Sequence, residues 1–243
     1  MRCVGLWKTQ MKTRLKICLC LCLAALMCLA ACGRPAVPGE DGDSTLSQQD
    51  ITPDTAQDAS GLKLADGLYI TEVFSYTGVY VEDGSNDPCE NICAVRLENG
   101  TAEHYQYLEF EVETAGGVFE FAASTLFSGA RMTVLSKNKD AYTGADVRSV
   151  KLLVLAPFTK TPTVHTDTLQ ITFADGAINV KNLTEITLSN VYVYFKNTDG
   201  SVYLGGITYR TGFGDIPAGE IVQASASNIR KDTSRVVFAD YSE

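Results

Sequence analysis

From about Lys63 to Glu243, apolar residues recur at every second position in short runs, and no stretch sustains a helical period. Leu108, Phe110 and Val112 alternate with Glu109, Glu111 and Glu113, and Val191, Val193 and Phe195 alternate with Tyr192 and Tyr194. A period of two puts one set on a buried face of a strand and the other on the opposite face. Such runs, rich in Tyr, Val, Phe, Ile and Thr and bounded by Gly, Asn and Asp, predict strands over 68–74, 78–82, 93–98, 106–114, 117–123, 130–135, 147–156, 168–174, 177–182, 188–196, 201–210, 220–226 and 235–240. Many short strands with frequent turn signals predict an all-β sandwich or barrel. About 180 residues suffice for one large sandwich or two of immunoglobulin size.

An internal repeat favours two. Asn99 and Asn182, Thr101 and Thr184, and Gly117 and Gly200 are each separated by 83 residues. In that register Leu108, Phe110 and Val112 fall on Val191, Val193 and Phe195, and Phe119 and Phe121 fall on Val202 and Leu204. Gly129 and Asn138 match Gly219 and Asn228 at a separation of 90, so the second copy holds seven extra residues, placed by this alignment within Tyr209–Pro217. The expectation is two tandem Ig-like β-sandwich units, 63–157 and 160–243, joined near Pro157–Pro162.

In the second copy, Ile178-Asn-Val-Lys-Asn-Leu-Thr, Val191-Tyr-Val-Tyr-Phe-Lys-Asn-Thr-Asp-Gly200 and Ile216-Pro-Ala-Gly-Glu220 follow one another. This succession of a strand ending in Asn, an aromatic alternating strand, an Asp-Gly turn and a Pro-Gly turn resembles the FxLYD-type Ig-like domains of bacterial surface proteins. Phe195-Lys196 stands where that family shows a Tyr-Asp pair. The resemblance implies an extracellular accessory or binding module and no enzyme.

The N-terminus reads differently. Arg2, Lys8, Lys12, Arg14 and Lys16 precede the uncharged run Ile17–Ala31, and the first 32 residues hold no Asp or Glu. A basic start, a short apolar run and small residues make an export signal. The run falls short of the roughly 20 residues that span a bilayer. Leu29-Ala30-Ala31-Cys32 resembles the lipobox of bacterial lipoproteins. That resemblance implies cleavage between Ala31 and Cys32, a diacylglyceryl group on Cys32, and residence at the extracytoplasmic face of the cell membrane. Two acyl chains hold a protein where one would let go, at about 0.8 kcal/mol per buried methylene.

Residues 33–62 follow as an acidic linker containing Glu40, Asp41, Asp43, Asp50, Asp54 and Asp58 and no aromatic residue. Such a segment buries too little apolar surface to offset its ordering entropy. Without residues 1–32 the chain keeps 15 Lys and Arg against 29 Asp and Glu, a net charge of −14. That balance excludes nucleic acid as a natural partner, since phosphate backbones are bound through clustered Lys and Arg.

Candidate chemistry is sparse. Beyond Cys32 only Cys89 and Cys93 remain, suited to a disulfide that closes a small loop or to two free thiols. A zinc site would need two further ligands. His165 and Asp167 offer a base and a carboxylate without a nucleophile elbow, and His104 stands at a strand entrance. Asp83, Ser85 and Asp87 begin like a calcium loop, but Pro88 and Ala94 occupy the positions where an EF-hand needs Gly and Glu. Asn99-Gly-Thr101 and Asn182-Leu-Thr184 have the form of glycosylation sequons and read as strand-ending turns.

The sharpest lead is a contrast of outward positions. Glu109, Glu111 and Glu120 in the first copy correspond to Tyr192, Tyr194 and Tyr203 in the second, with Tyr209 nearby. A face bearing Tyr192, Tyr194, Tyr203 and Tyr209 would offer flat amphipathic area to a cell-envelope glycan or a surface protein. The same tyrosines also suit packing between the units, or simply a strand. The expectation is a membrane-anchored, non-enzymatic binding or accessory module without cofactor or metal. The alternatives are an envelope hydrolase using an acidic-turn metal site, and a structural spacer.

Overall fold

The computed structural model describes residues 61–242, so Cys32, the signal and all but the end of the 33–62 linker lie outside the described residues. Thirteen strands are present: β1 (Leu62–Ala65), β2 (Leu68–Tyr80), β3 (Asp87–Asn99), β4 (Tyr105–Thr114), β5 (Gly117–Leu126), β6 (Arg131–Leu135), β7 (Val147–Pro157), β8 (Leu169–Ala174), β9 (Ala177–Asn182), β10 (Leu188–Asp199), β11 (Val202–Ile216), β12 (Ile221–Ser225) and β13 (Ser234–Ser242). They form a seven-stranded sheet in the order β1-β2-β3-β6-β11-β10-β13 and two three-stranded sheets, β5-β4-β7 and β12-β9-β8. The fold is all-β and sandwich-like.

The alternation reads out as burial. Leu108, Phe110 and Val112, and likewise Val191, Val193 and Phe195, have no exposed surface. The first set joins Leu68, Leu97, Phe121 and Met132 in one core. The second joins Ile178, Val180, Leu188 and Ile216 in another. Burying a large apolar side chain stabilises by about 1.5–3 kcal/mol, so these two sets anchor the layers. The expected strands 68–74 and 78–82 are one strand, because β2 stays paired with β3 from Leu68↔Asn99 to Tyr80↔Asp87 across two register shifts. Four-residue β1 is too short to show a period.

The same two residues close both cores. Asn99 and Asn182 are fully buried. The Asn99 amide donates to the carbonyls of Glu103 (2.8 Å), Phe127 (3.0 Å) and Leu126 (3.3 Å). That of Asn182 donates to Ile186 (2.7 Å), Ile216 (2.9 Å) and Pro217 (3.2 Å). Each Asn oxygen accepts from the backbone N–H and hydroxyl of the Thr two residues on, Thr101 or Thr184. The Asn-x-Thr spacing is thus a buried plug that satisfies carbonyls at the end of each core.

One expectation needs correction. The seven extra residues lie between Gly200 and Tyr209, before the expected Tyr209–Pro217. Val112 pairs with Phe119 and Phe110 with Phe121, whereas Phe195 pairs with Tyr209 and Val193 with Thr211. The 90-residue separation is therefore in place by Tyr209. Val202 and Leu204 do not stand in for Phe119 and Phe121; they face Asp199 and Asn197 in a longer hairpin. The largest sheet takes strands from both sides of Pro157–Pro162. β6 pairs in parallel with β11, Met132 with Tyr203 and Thr133 with Leu204, so one sheet runs through both halves. The described residues fall within a single compact unit.

Asn182→Ala leaves three carbonyls without their donor and should lower the unfolding free energy by about 3 kcal/mol. Urea unfolding measures it; a loss below about 0.5 kcal/mol, the scale of an ordinary surface change, would contradict the plug.

Candidate binding surface at the junction of the two halves

Tyr192 and Tyr194 alternate with core residues along β10 and are half-buried on the opposite face. Tyr194 stacks on Phe238, its cross-strand partner in β13, with ring centroids 4.0 Å apart. The Arg210 guanidinium lies over the Tyr192 ring at 5.0 Å, a cation–π contact of the kind worth about 0.5–1 kcal/mol at an exposed site. Beyond Phe238 the aromatic contacts continue to Phe158 (5.9 Å), then Phe127 (6.3 Å), then His104 (5.2 Å). A band of half-buried rings thus crosses from β10 and β13 to the connector after β7 and the end of β5.

Tyr203 and Tyr209 do not belong to that face. Tyr209 is 7 % exposed, stacks on Phe195 at 5.3 Å inside the second core, and occupies the place that Phe119 holds in the first. Burial pushes its hydroxyl up to about 12. Tyr203 pairs with Met132 and packs against the first core. The bulge between them, over Gly205–Thr208, carries the strand past Lys196 and changes which side each residue presents. The acidic ridge is partly neutralised: Glu109 accepts from the Tyr107 hydroxyl and from Lys137 (3.1 Å), Lys151 approaches Glu111 (3.7 Å), and Ser149 donates to Glu113 (2.9 Å).

Two residues beyond Tyr194 on β10 lies a polar joint. On β10, Lys196 stands opposite the stretch Gly205–Thr208, which has no ladder partner there. The Lys196 ammonium donates to the carbonyls of Ile207 (2.7 Å) and Gly206 (3.0 Å). Glu82, just after β2, accepts from the N–H of Leu135 (2.8 Å), Gly206 (2.9 Å) and Ile207 (3.1 Å). A Cβ on Gly206 would overlap the Ala122 carbonyl of β5, and one on Gly205 would overlap Val81. The Ser124 hydroxyl bonds Gly206 O and the Thr208 hydroxyl, each at 3.0 Å. Lys196 has no exposed surface, so it is a fastener, with no access for a substrate.

Burial pushes Lys196 down to about 7, against the opposing pull of the Glu82 charge. The same burial raises the Glu82 carboxyl, opposed by its three N–H donors.

The other sequence candidates are scattered. Cys89 and Cys93 are free thiols. They lie four positions apart on β3, on either side of a register shift, and no disulfide joins them in the structure. Asp83 is held by Lys139 (2.9 Å) and the Ser85 N–H (3.0 Å), which lower its carboxyl well below the ordinary value. His104 accepts from Ser128 N–H (3.0 Å); His165 bonds the Thr163 hydroxyl (2.8 Å), with Asp167 exposed. Among the described residues no group of three or more His, Cys, Asp or Glu is placed to share a metal ion. An open recess of about 650 Å³ at the β1–β2 edge is lined by Leu62, Ile70, Val73, Tyr142 and Val147. No protein-family model and no curated protein matches the chain.

The joint has a pH signature. Between about pH 7 and its unfolded value of 10.5, Lys196 carries a proton in the unfolded chain that the folded chain lacks, so stability rises with pH across that window. From pH 7 to pH 8, below thiol and tyrosine ionisation, the urea midpoint should climb in the wild type and stay flatter in Lys196→Met. Parallel profiles would contradict the assignment.

Proposed function

We propose that this chain is a lipoprotein anchored through Cys32 to the extracytoplasmic face of the cell membrane. In this reading it is a non-enzymatic binding or accessory module. Two Ig-like sandwich units, joined edge to edge, display the band of Tyr192, Tyr194 and Phe238 to a cell-envelope glycan or a surface protein. The resemblance of Leu29–Cys32 to a lipobox supports the anchor, and the resemblance to FxLYD-type domains supports an accessory role. The net charge of −14 beyond Cys32 speaks against flat adhesion to anionic lipid.

The aromatic band is the observation that carries binding. Rings that are half-buried rather than enclosed keep one face available, and such faces suit a sugar ring or the core of a protein interface. The run Phe127–Phe158–Phe238 also favours a second reading, in which the rings chiefly brace the two halves as a spacer.

Cells fed labelled palmitate should label the wild-type chain and leave Cys32→Ala unlabelled; equal labelling removes the anchor. The detergent-solubilised full chain should retain an envelope glycan or protein, and Tyr192→Ala/Tyr194→Ala should retain about tenfold less, a change of roughly 1.4 kcal/mol, while staying folded at the assay temperature with a thermal midpoint lowered only by the lost ring contacts. Equal retention, or none by either, favours the spacer.

A further inference from the structure

The two halves present equivalent edges that meet different fates. β6 and β12 start 90 residues apart, at Arg131 and Ile221, and both pair antiparallel with the strand that ends in a plugging Asn. On its far side β6 receives β11 in parallel, and Glu82 takes the Leu135 N–H beyond it. β12 is the last strand of its sheet, and its far side has no strand among the described residues.

That open edge is ready to pair. The Asn182 N–H donates to Glu220 O (3.0 Å) and the Ala226 N–H to Gly176 O (3.1 Å). Hydrogen-bonding positions in an antiparallel ladder recur every second residue, so the N–H groups of Ile221, Gln223 and Ser225 point away from β9. Exposed edges in natural proteins are commonly blunted by charge, proline or a bulge. Ile221-Val-Gln-Ala-Ser225 has no charge and no proline, and its register with β9 is unbroken.

Apolar surface flanks it. Leu183, Ile186 and Ile221 are 44 %, 49 % and 61 % exposed. At the equivalent places the first half has Gly100, Glu103 and Arg131. Identical positions around the same Asn plug are thus polar in one copy and apolar in the other.

We infer that the outer edge of β12, with Leu183, Ile186 and Ile221 beside it, is a second docking site, separate from the aromatic band, that accepts an extended, uncharged and apolar segment of a partner protein as an added strand. The molecule supplies the precedent: the equivalent edge of β6 is filled by Tyr203-Leu204 of β11. A second copy would have to pair through its own β12 edge, and a dimer of the full chain that Gln223→Pro dissolves would overturn the inference.

The test probe is a phage-displayed library of random peptides, panned on the full chain in detergent. Enriched peptides should be rich in Val, Ile, Thr and Tyr and poor in charge. A synthetic copy should protect the Ile221, Gln223 and Ser225 amides from hydrogen exchange. Gln223→Pro removes an outward N–H and leaves the β9 ladder intact; Ile221→Lys keeps every N–H and charges the flank. Both should weaken peptide binding about tenfold or more, while Tyr192→Ala/Tyr194→Ala should leave it unchanged. No enrichment, or peptides that bind Gln223→Pro and Ile221→Lys as well as the wild type, would overturn the inference.

Discussion

The peptide groups of Gly206 and Ile207 sit where two halves of one sheet meet, and they have no ladder partners of their own. An orphaned backbone group in such a place costs about 1–3 kcal/mol, so the chain can cross here only if both N–H and C=O groups are satisfied by other means. Glu82 takes the two N–H groups and Lys196 the two carbonyls. The clamp comes from residues 114 positions apart, one after β2 and one on β10, so the bulge that parts β11 from β10 also ties the second half to the first. Burying two charged groups is costly. Here five backbone contacts offset that cost, and the lowered Lys196 value is its visible trace.

The seven residues that distinguish the second copy from the first are the material of this joint. Without them β11 would end its hairpin as β5 does, at the turn Thr114–Gly117, and would not reach β6. With them, Tyr203-Leu204 extend the sheet and Gly206 lets β5 approach closely enough for the Ser124–Thr208 contact. That approach brings Phe127 and Phe158 of the first half toward Phe238 and Tyr194 of the second. The aromatic band is thus a consequence of the joint, and so is the asymmetry of the edges, with β6 covered and β12 open.

Much of this was legible in the residues. Period-two alternation located both cores, because hydrophobic burial acts through the same faces that the pleat defines. The plugs showed as Asn-x-Thr pairs, although their burial is a tertiary fact. The insertion was misplaced for an identifiable reason. Gly117 and Gly200 match at 83, and Val202 and Leu204 imitate the apolar spacing of Phe119 and Phe121, so nothing local betrays the shift; only pairing with β10 does. Tyr203 and Tyr209 are an even number apart and read as one face, but a bulge between them breaks the parity. Lys196 occupies the place of Glu113, an outward position that would ordinarily be solvated, and is buried against the β11 bulge and Met132 of β6. Phe127, Phe158 and Phe238 come from three distant segments, which no spacing links.

Hydrogen exchange under mild denaturant, followed at the amides of β4 and β10 in the wild type and in Gly206→Val, tests the joint most directly. A Cβ at that position meets the Ala122 carbonyl and forces β5 and β11 apart. The expected result is a single opening that exposes both strands together in the wild type, and two separate openings in the variant, with each core still protected. Separate openings in the wild type, or a variant that still opens as one body, would contradict the role assigned to Gly206, Glu82 and Lys196.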